Sequence, residues 1–276
     1  MPIPKTAHSE ARSVVDPGSC RAPALVVAHP GHELRVHAWM EMARPMVCVL
    51  TDGSGSTGEG RLESTSRVLE RTEARRGPVY GRMSDREVYA AIMDHDLRLF
   101  CDLADELCAA LLGHGADCVV GDAVEGYNPS HDVCRLVINA AVRMASRVQG
   151  APLPNYDFVL VGAPDECPEA LRDATFRLSL DDDALSRKLE AARGYPEMAG
   201  EVEAALARFG VTPFRLECLR PVDIEDRTGW TAEEPPFYER HGEKRVAAGV
   251  YDRVLRFREH VLPVAEALWD HSTRGA

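Results

Sequence analysis

Short unbroken apolar runs alternating with amphipathic stretches set the pattern of this chain. Leu25-Val26-Val27-Ala28 is β-branched and has no polar alternation, so it predicts a strand over 24–29 buried on both faces. The same signature predicts strands over 46–50, 116–121 and 155–162. A short fifth strand is expected at 176–180, and the alternation over 213–219 predicts an edge strand. Between these lie helical periods. One helix is expected over 31–42. Another opens at the capping box Ser84-Asp85-Arg86-Glu87 and runs to about 112, with Val88, Ile92, Leu97, Phe100, Leu103, Leu107 and Leu111 on its apolar face. Further helices are expected over 133–148, around Lys188 after the acidic start Asp181-Asp182-Asp183, and over 242–269. Strands alternating with helices predict an α/β fold. Its expected form is a Rossmann-like, mainly parallel sheet flanked by helices, with a C-terminal helical extension. The expected organisation is an N-terminal arm over 1–21, a catalytic-type domain over 22–220 and an extension over 221–276 packing on that domain.

The chemistry concentrates where strands hand over to helices. His29-Pro30-Gly31-His32 follows the first apolar run directly. Pro30 fixes φ and suits a helix start, so His29 leaves the strand and His32 enters the first turn. Open α/β sheets bind ligands at that edge. Asn128-Pro129-Ser130-His131 lies at a second handover, after the run over 116–122 and before the helix over 133–148. His29, His32 and His131 would give a divalent ion three imidazoles and leave one position open, the pattern of a catalytic rather than a structural zinc site. His95 and His114 belong to the long helix or its end and are not expected as ligands. The glycine-rich loop over 52–60 lacks the Gly-Lys-Ser/Thr ending of a phosphate cradle and reads as a surface loop near the site. A dinucleotide fold would need Gly-x-Gly-x-x-Gly where this chain has His-Pro-Gly-His.

Composition narrows the partners. The chain has 276 residues and a formal net charge of −12, which disfavours nucleic acid and anionic membrane partners. No apolar run is long enough for a membrane span, and the N-terminus lacks the apolar core of a signal peptide. The 8 cysteines form no Cys-x-x-Cys pair and read as small hydrophobes of a reducing compartment, so a cytoplasmic location is expected.

These motifs resemble those of the PIG-L/LmbE-like family of zinc-dependent N-deacetylases. That family carries Ala-His-Pro-Asp-Asp-Glu after its first strand and His-Pro-Asp-His further along. The resemblance covers roughly 22–220. It includes Leu50-Thr51-Asp52-Gly53, the Arg67-Val68-Leu69-Glu70 segment and the later Lys188-Leu189-Glu190-Ala191. It implies one zinc ion per chain, or another divalent transition metal, held by His29, His32 and His131. It implies a small-molecule substrate, an N-acylated sugar or sugar conjugate, with Arg67, Asp52 and Tyr127 as candidate substrate contacts. The family's general base falls on Gly31, its ligand Asp on His32 and its transition-state His on Asn128.

The expected function is therefore a zinc-dependent hydrolase in which metal-bound hydroxide attacks an amide or ester carbonyl. Asn128 is expected to support the oxyanion. Glu33 and Asp132, with Asp52 and Asp122, are the carboxylates available to move protons. A carboxylate placed at Gly31 is expected to raise amide hydrolysis. The alternative is a metal- or ligand-binding relative without deacetylase chemistry. A second copy of the chain, meeting the first through the last helix, is a further candidate partner.

Overall fold

The computed structural model describes residues 16–55 and 58–274, so most of the expected arm lies outside the described residues. In chain order the first elements are β1 (Pro23–Val27), α1 (His37–Ala43), β2 (Met46–Thr51), α2 (Leu62–Thr72), β3 (Arg75–Met83) and α3 (Asp85–Met93). They continue with α4 (Leu97–His114), β4 (Cys118–Asp122), α5 (Pro129–Gln149), β5 (Asn155–Phe158) and β6 (Phe176–Ser179). The last are α6 (Asp182–Arg193), α7 (Ala199–Phe209), β7 (Leu216–Pro221), α8 (Phe237–Ala247) and α9 (Leu262–Arg274).

The strands form one mixed sheet of order β3-β2-β1-β4-β5-β7-β6. The first five in that order are parallel. β7 runs antiparallel to β5, and β6 antiparallel to β7. β1, β2 and β4 are buried along their whole length, as their unbroken apolar sequences require. One face is covered by α3, α4, α5 and α9, the other by α1, α2 and α6. α9 packs on α4 and α5, which places the C-terminal segment on the same core.

Four expected elements are corrected. The helix expected over 85–112 is two helices. His95 adopts φ +57° and Asp96 caps the second helix by accepting from the Leu99 N–H. The helix expected over 242–269 is α8 and α9, separated by Gly249 at φ +70° and an irregular stretch. The strand expected over 155–162 ends at Phe158. The run at 213–219 is not an edge strand, since β7 lies between β5 and β6. The true edge on the other side, β3, carries Arg75, Arg76, Gly77, Pro78 and Gly81, and gives no apolar signal. Its proline is tolerated because an edge strand has one unpaired side.

Two features set the position of the strand ends. A Cβ on Gly121 would lie 2.5 Å from the Val26 carbonyl oxygen and 2.7 Å from Ile138 Cδ1, so only glycine lets α5 settle this closely on β1 and β4. The buried Arg135 guanidinium then ties α5 to both neighbouring strands. It donates to the Asp122 carbonyl, to Asn155 Oδ1 at 3.0 Å and to the Tyr156 carbonyl at 3.1 Å.

On the opposite face, the Glu217 carboxylate of β7 accepts from the Ala38 and Trp39 N–H groups at 3.0 and 2.8 Å, which caps α1. Lys188 Nζ donates to Glu217 Oε1 at 2.7 Å, and both side chains are buried. Lys188→Met leaves a buried carboxylate without its counter-charge and is expected to destabilise the fold by about 3–5 kcal/mol. Urea denaturation of the two proteins measures this. A loss below about 1 kcal/mol would mean that the N–H groups of α1 suffice.

Candidate metal centre

β1 and β4 are parallel neighbours, so their carboxyl ends lie side by side at one sheet edge. His29 and His32 follow β1, the latter in a single turn of 3₁₀ helix, and His131 lies in the first turn of α5. The three rings meet there. Their centres are 5.2 Å apart for His29–His32, 4.9 Å for His29–His131 and 4.5 Å for His32–His131. Three imidazoles on a tetrahedral ion, with metal–nitrogen bonds of about 2.0–2.1 Å, stand with ring centres roughly 5 Å apart. Burial, and next the neighbouring rings, hold His32 and His131 well below the ordinary imidazole range, so both are neutral and able to ligate.

Each ring has a defined hydrogen-bonding partner or a conspicuous lack of one. His32 Nδ1 donates to Asp122 Oδ2 at 2.8 Å, which leaves Nε2 as the nitrogen available to a ligand. Nδ1 of His29 lies 2.9 Å from Asp85 Oδ1 and 2.7 Å from Thr51 Oγ1, and its Nε2 faces Ser130 Oγ at 2.8 Å. His131 Nδ1 is buried with no hydrogen-bond partner. Carboxylate-backed imidazoles and a buried nitrogen without a protein partner are features that a divalent ion would use.

The surrounding carboxylates fasten the loops. Asp122 Oδ2 also accepts from the Ala28 N–H at 2.8 Å. Burial pushes Asp122 up to about 7. Burial also raises Asp85. Its bonds from His29, Thr51 and the Gly55 N–H nevertheless hold it well below the usual carboxylate range. Asp85, Thr51 and Ser130 went unrecognised as site residues in the sequence. A carboxylate in a capping box and hydroxyls at element ends carry no signal of their own until the fold sets them against a histidine.

Asn128 caps α5. Its Oδ1 accepts from the Ser130 N–H at 3.0 Å, Ser130 Oγ at 2.7 Å and Tyr89 Oη at 3.0 Å. Asp132 instead binds the Glu125 and Gly126 N–H groups at 3.0 and 3.2 Å. Glu33 accepts from the Gly31 N–H at 2.7 Å, and burial pushes it up to about 7. Asp52 closes its own turn, accepting from the Ser54 N–H at 2.9 Å. Of the four carboxylates expected to move protons, Asp122 is the one bonded to a triad histidine among the described residues. Arg67 pairs with Glu63 at 2.9 Å and donates to Ser64 Oγ on the α2 surface, and Tyr127 is exposed.

Gly31 departs from expectation. It adopts φ +103°, and a Cβ there would lie 3.0 Å from Met198 Sδ and 3.2 Å from Met198 Cγ. The room for a carboxylate is taken by a thioether. A second set of metal-capable donors lies at the entry to β4 and in the segment before β1. Ligand atoms of Cys20, Asp117 and Cys118 fall within 4.8 Å of one another.

No family model matches this chain, and no curated protein matches it. Among solved structures, the zinc-inhibited form of teicoplanin deacetylase Orf2 matches with a TM-score of 0.51 at 15% identity, covering 75% of this chain and 100% of that one. The deacetylase Dbv21 of A40926 pseudoaglycone matches with a TM-score of 0.52 at 17% identity, covering 77% and 99%. At these identities the likeness establishes a shared α/β fold.

Two outcomes follow from the geometry. Gly31→Asp is expected to lose about 1–3 kcal/mol of stability, through the positive φ and the Met198 contact, and not to raise amide hydrolysis. A metal-loaded Gly31→Asp protein that gains activity without losing stability would refute this. Glu33 gives a pH dependence of defined sign. Its folded pKa of about 7 exceeds the unfolded 4.5, so its contribution is full below pH 4.5 and is lost as pH rises to 7. Glu33→Gln should therefore gain on wild type across that window, by an amount on the order of 3 kcal/mol, as read from denaturant midpoints at each pH. Parallel curves for the two proteins would show that Glu33 stays ionised.

Proposed function

We propose that this chain is a metal-dependent hydrolase of the deacetylase type, acting on an N-acylated sugar of a small glycoconjugate. One observation carries the reading: three imidazoles, His29 and His131 buried and His32 half-buried, come together at the carboxyl edge of a parallel sheet, two of them backed by carboxylates. His29, His32 and His131 would hold the ion, most simply zinc. A bound ion there supplies a Lewis acid for the carbonyl and water of lowered pKa. The neighbours of like fold support the reading, since both are named as deacetylases, of teicoplanin and of A40926 pseudoaglycone.

The chain's own residues take the remaining roles. Asn128 Nδ2 is turned free by three donors on Oδ1 and would donate to the carbonyl oxygen as charge develops. Asp122, pushed up to about 7 and bonded to His32, is the group placed to hold a proton near neutrality. Asp85 and Asp122 back the His29 and His32 rings and would keep them oriented, with His29 Nε2 exchanging its Ser130 bond for the ion. Glu33 and Asp132 shape the two loops. Arg67 and Asp52 stay candidate contacts for substrate hydroxyls, reached from the α2 side of the edge.

The test joins metal analysis to acetate release. Protein purified without added metal should hold about one equivalent of a divalent transition metal at the triad. His131→Ala should lose it, Asp122→Asn should bind it roughly 10–100-fold more weakly, and Cys20→Ser should keep it. Acetate release from a panel of N-acetylated sugars should fall with metal content. A full equivalent retained in His131→Ala, but lost in Cys20→Ser, would move the metal to the cysteines. Metal at the triad without acetate release from any panel member would favour the binding role over catalysis.

A further inference from the structure

The amino ends of β1 and β4 carry chemistry that the histidines at the carboxyl ends do not use. Cys118 opens β4 and stands in register with Pro23, and Cys20 lies just before that proline. Asp117, next to Cys118, accepts from the Arg21 N–H at 2.7 Å and the Ala22 N–H at 3.1 Å. The two sulfurs and a carboxylate oxygen of Asp117 all fall within 4.8 Å of one another.

Backbone bonds fix all three residues. Cys118 belongs to the buried ladder of β4, and Asp117 is tied by its two N–H donors. Cys20 closes a turn in which the Gly18 N–H donates to Asp16 Oδ1 at 2.8 Å and the Ser19 N–H to the Asp16 carbonyl at 2.9 Å. The Cys20 thiol faces that same carbonyl at 3.7 Å. Cys118 is buried, and Cys20 and Asp117 are half-buried. Among the described residues no cationic side chain pairs with Asp117 or Asp16. A hydrogen bond from the Cys118 thiol holds Cys20 below the ordinary thiol range, which favours the thiolate, the form that ligates.

We propose that Cys20, Asp117 and Cys118 form a second metal site, a structural clasp for a thiophilic divalent ion of the zinc type. Two thiols with one carboxylate suit zinc, whereas magnesium and calcium take oxygen donors. A tetrahedral ion of this kind sets sulfur and oxygen ligands roughly 3.5–3.8 Å apart, so the donors close by about 1 Å at most. Water completes the coordination from the half-open side. The ion joins the segment before β1 to the start of β4, the two strands whose far ends bear the histidines. That segment also covers α1, where Trp39 Nε1 donates to the Pro17 carbonyl at 3.1 Å. With only three protein donors, half open to solvent, the clasp fills after the histidine site, when metal is supplied. The inference stands apart from the hydrolase reading, because none of its residues belongs to that centre.

Cobalt(II) titration under a non-thiol reductant tests it. Thiolate ligation gives a sulfur-to-cobalt charge-transfer band in the near ultraviolet, which three imidazoles cannot produce. The band is expected in wild type, saturating at about one equivalent, and should persist in His131→Ala. It should vanish in Cys20→Ser, a half-buried position that tolerates the change, and Asp117→Asn should weaken cobalt binding roughly tenfold. Zinc should displace the cobalt and slow alkylation of Cys20 by iodoacetamide about tenfold, in wild type and in His131→Ala alike. A wild-type protein without the band would overturn the proposal, as would a band that survives in Cys20→Ser. A band lost in His131→Ala would refute the independence of the two sites. Failure of the hydrolase reading would leave the band in place.

Discussion

The candidate site depends first on the carboxylate of Asp122. It is buried at the end of β4 and accepts, through one oxygen, from the Ala28 N–H and from His32 Nδ1. The first bond joins the carboxyl ends of two parallel strands beyond the last ladder pair. The second fixes the ring that follows. A lone buried carboxylate is expensive, and burial raises its pKa to about 7 even with these donors and the nearby Arg135. Its remaining oxygen has no protein partner. A cation held by the three imidazoles is what would offset that cost, so the placement of Asp122 and the chemistry of the histidines imply each other.

The same device recurs around the edge. Loops at strand ends leave N–H groups that no ladder can satisfy. Here buried or half-buried carboxylates take them. Glu33 takes Gly31, Asp85 takes Gly55, and Asp132 takes Glu125 and Gly126. Every loop that carries a candidate ligand is therefore tied by an acid. One consequence is electrostatic: the imidazoles sit in a ring of negative or titrating groups, which favours a divalent cation. Another is mechanical, since the loops that carry the three histidines are fastened by these bonds.

Much of this was legible in the sequence, for identifiable reasons. β1, β2 and β4 are buried on both faces and had to be written as unbroken apolar runs, so they and the handovers after them could be read. The meeting of His29, His32 and His131 follows from those handovers once β1 and β4 are neighbours. β3 was invisible because an edge strand with Arg75, Pro78 and Gly81 has no core face to advertise. The break at His95 was hidden because the apolar period runs on through it, and a single residue at positive φ divides the helix. Asp85 and Tyr89 were hidden differently. They belong to a helix read only for its apolar face, and their chemistry depends on the packing of α3 against the start of α5. The acids at 33, 52 and 132 looked like candidate proton carriers because sequence reports type and neighbourhood, not direction. In the fold each is turned toward backbone N–H groups.

The two departures at the first corner are best read together. The resembling family places an Asp among its ligands and a second Asp beside them, where this chain has His32 and Gly31. A histidine in the ligand position removes one negative charge from the donor set. Asp122 behind His32 and Asp85 behind His29 put negative charge back, one bond further out, where it orients the rings instead of coordinating. The site thus keeps its attraction for a cation while its donors become neutral. Neutral donors would leave a bound ion a stronger Lewis acid, which would lessen the demand on a separate base. Gly31 fits that change. With Met198 against it and φ at +103°, a side chain at this corner would be strained. A proton carrier at this edge would have to come from groups the backbone already holds, and among these Asp122, raised to about 7 by burial, is the one bonded to a triad histidine.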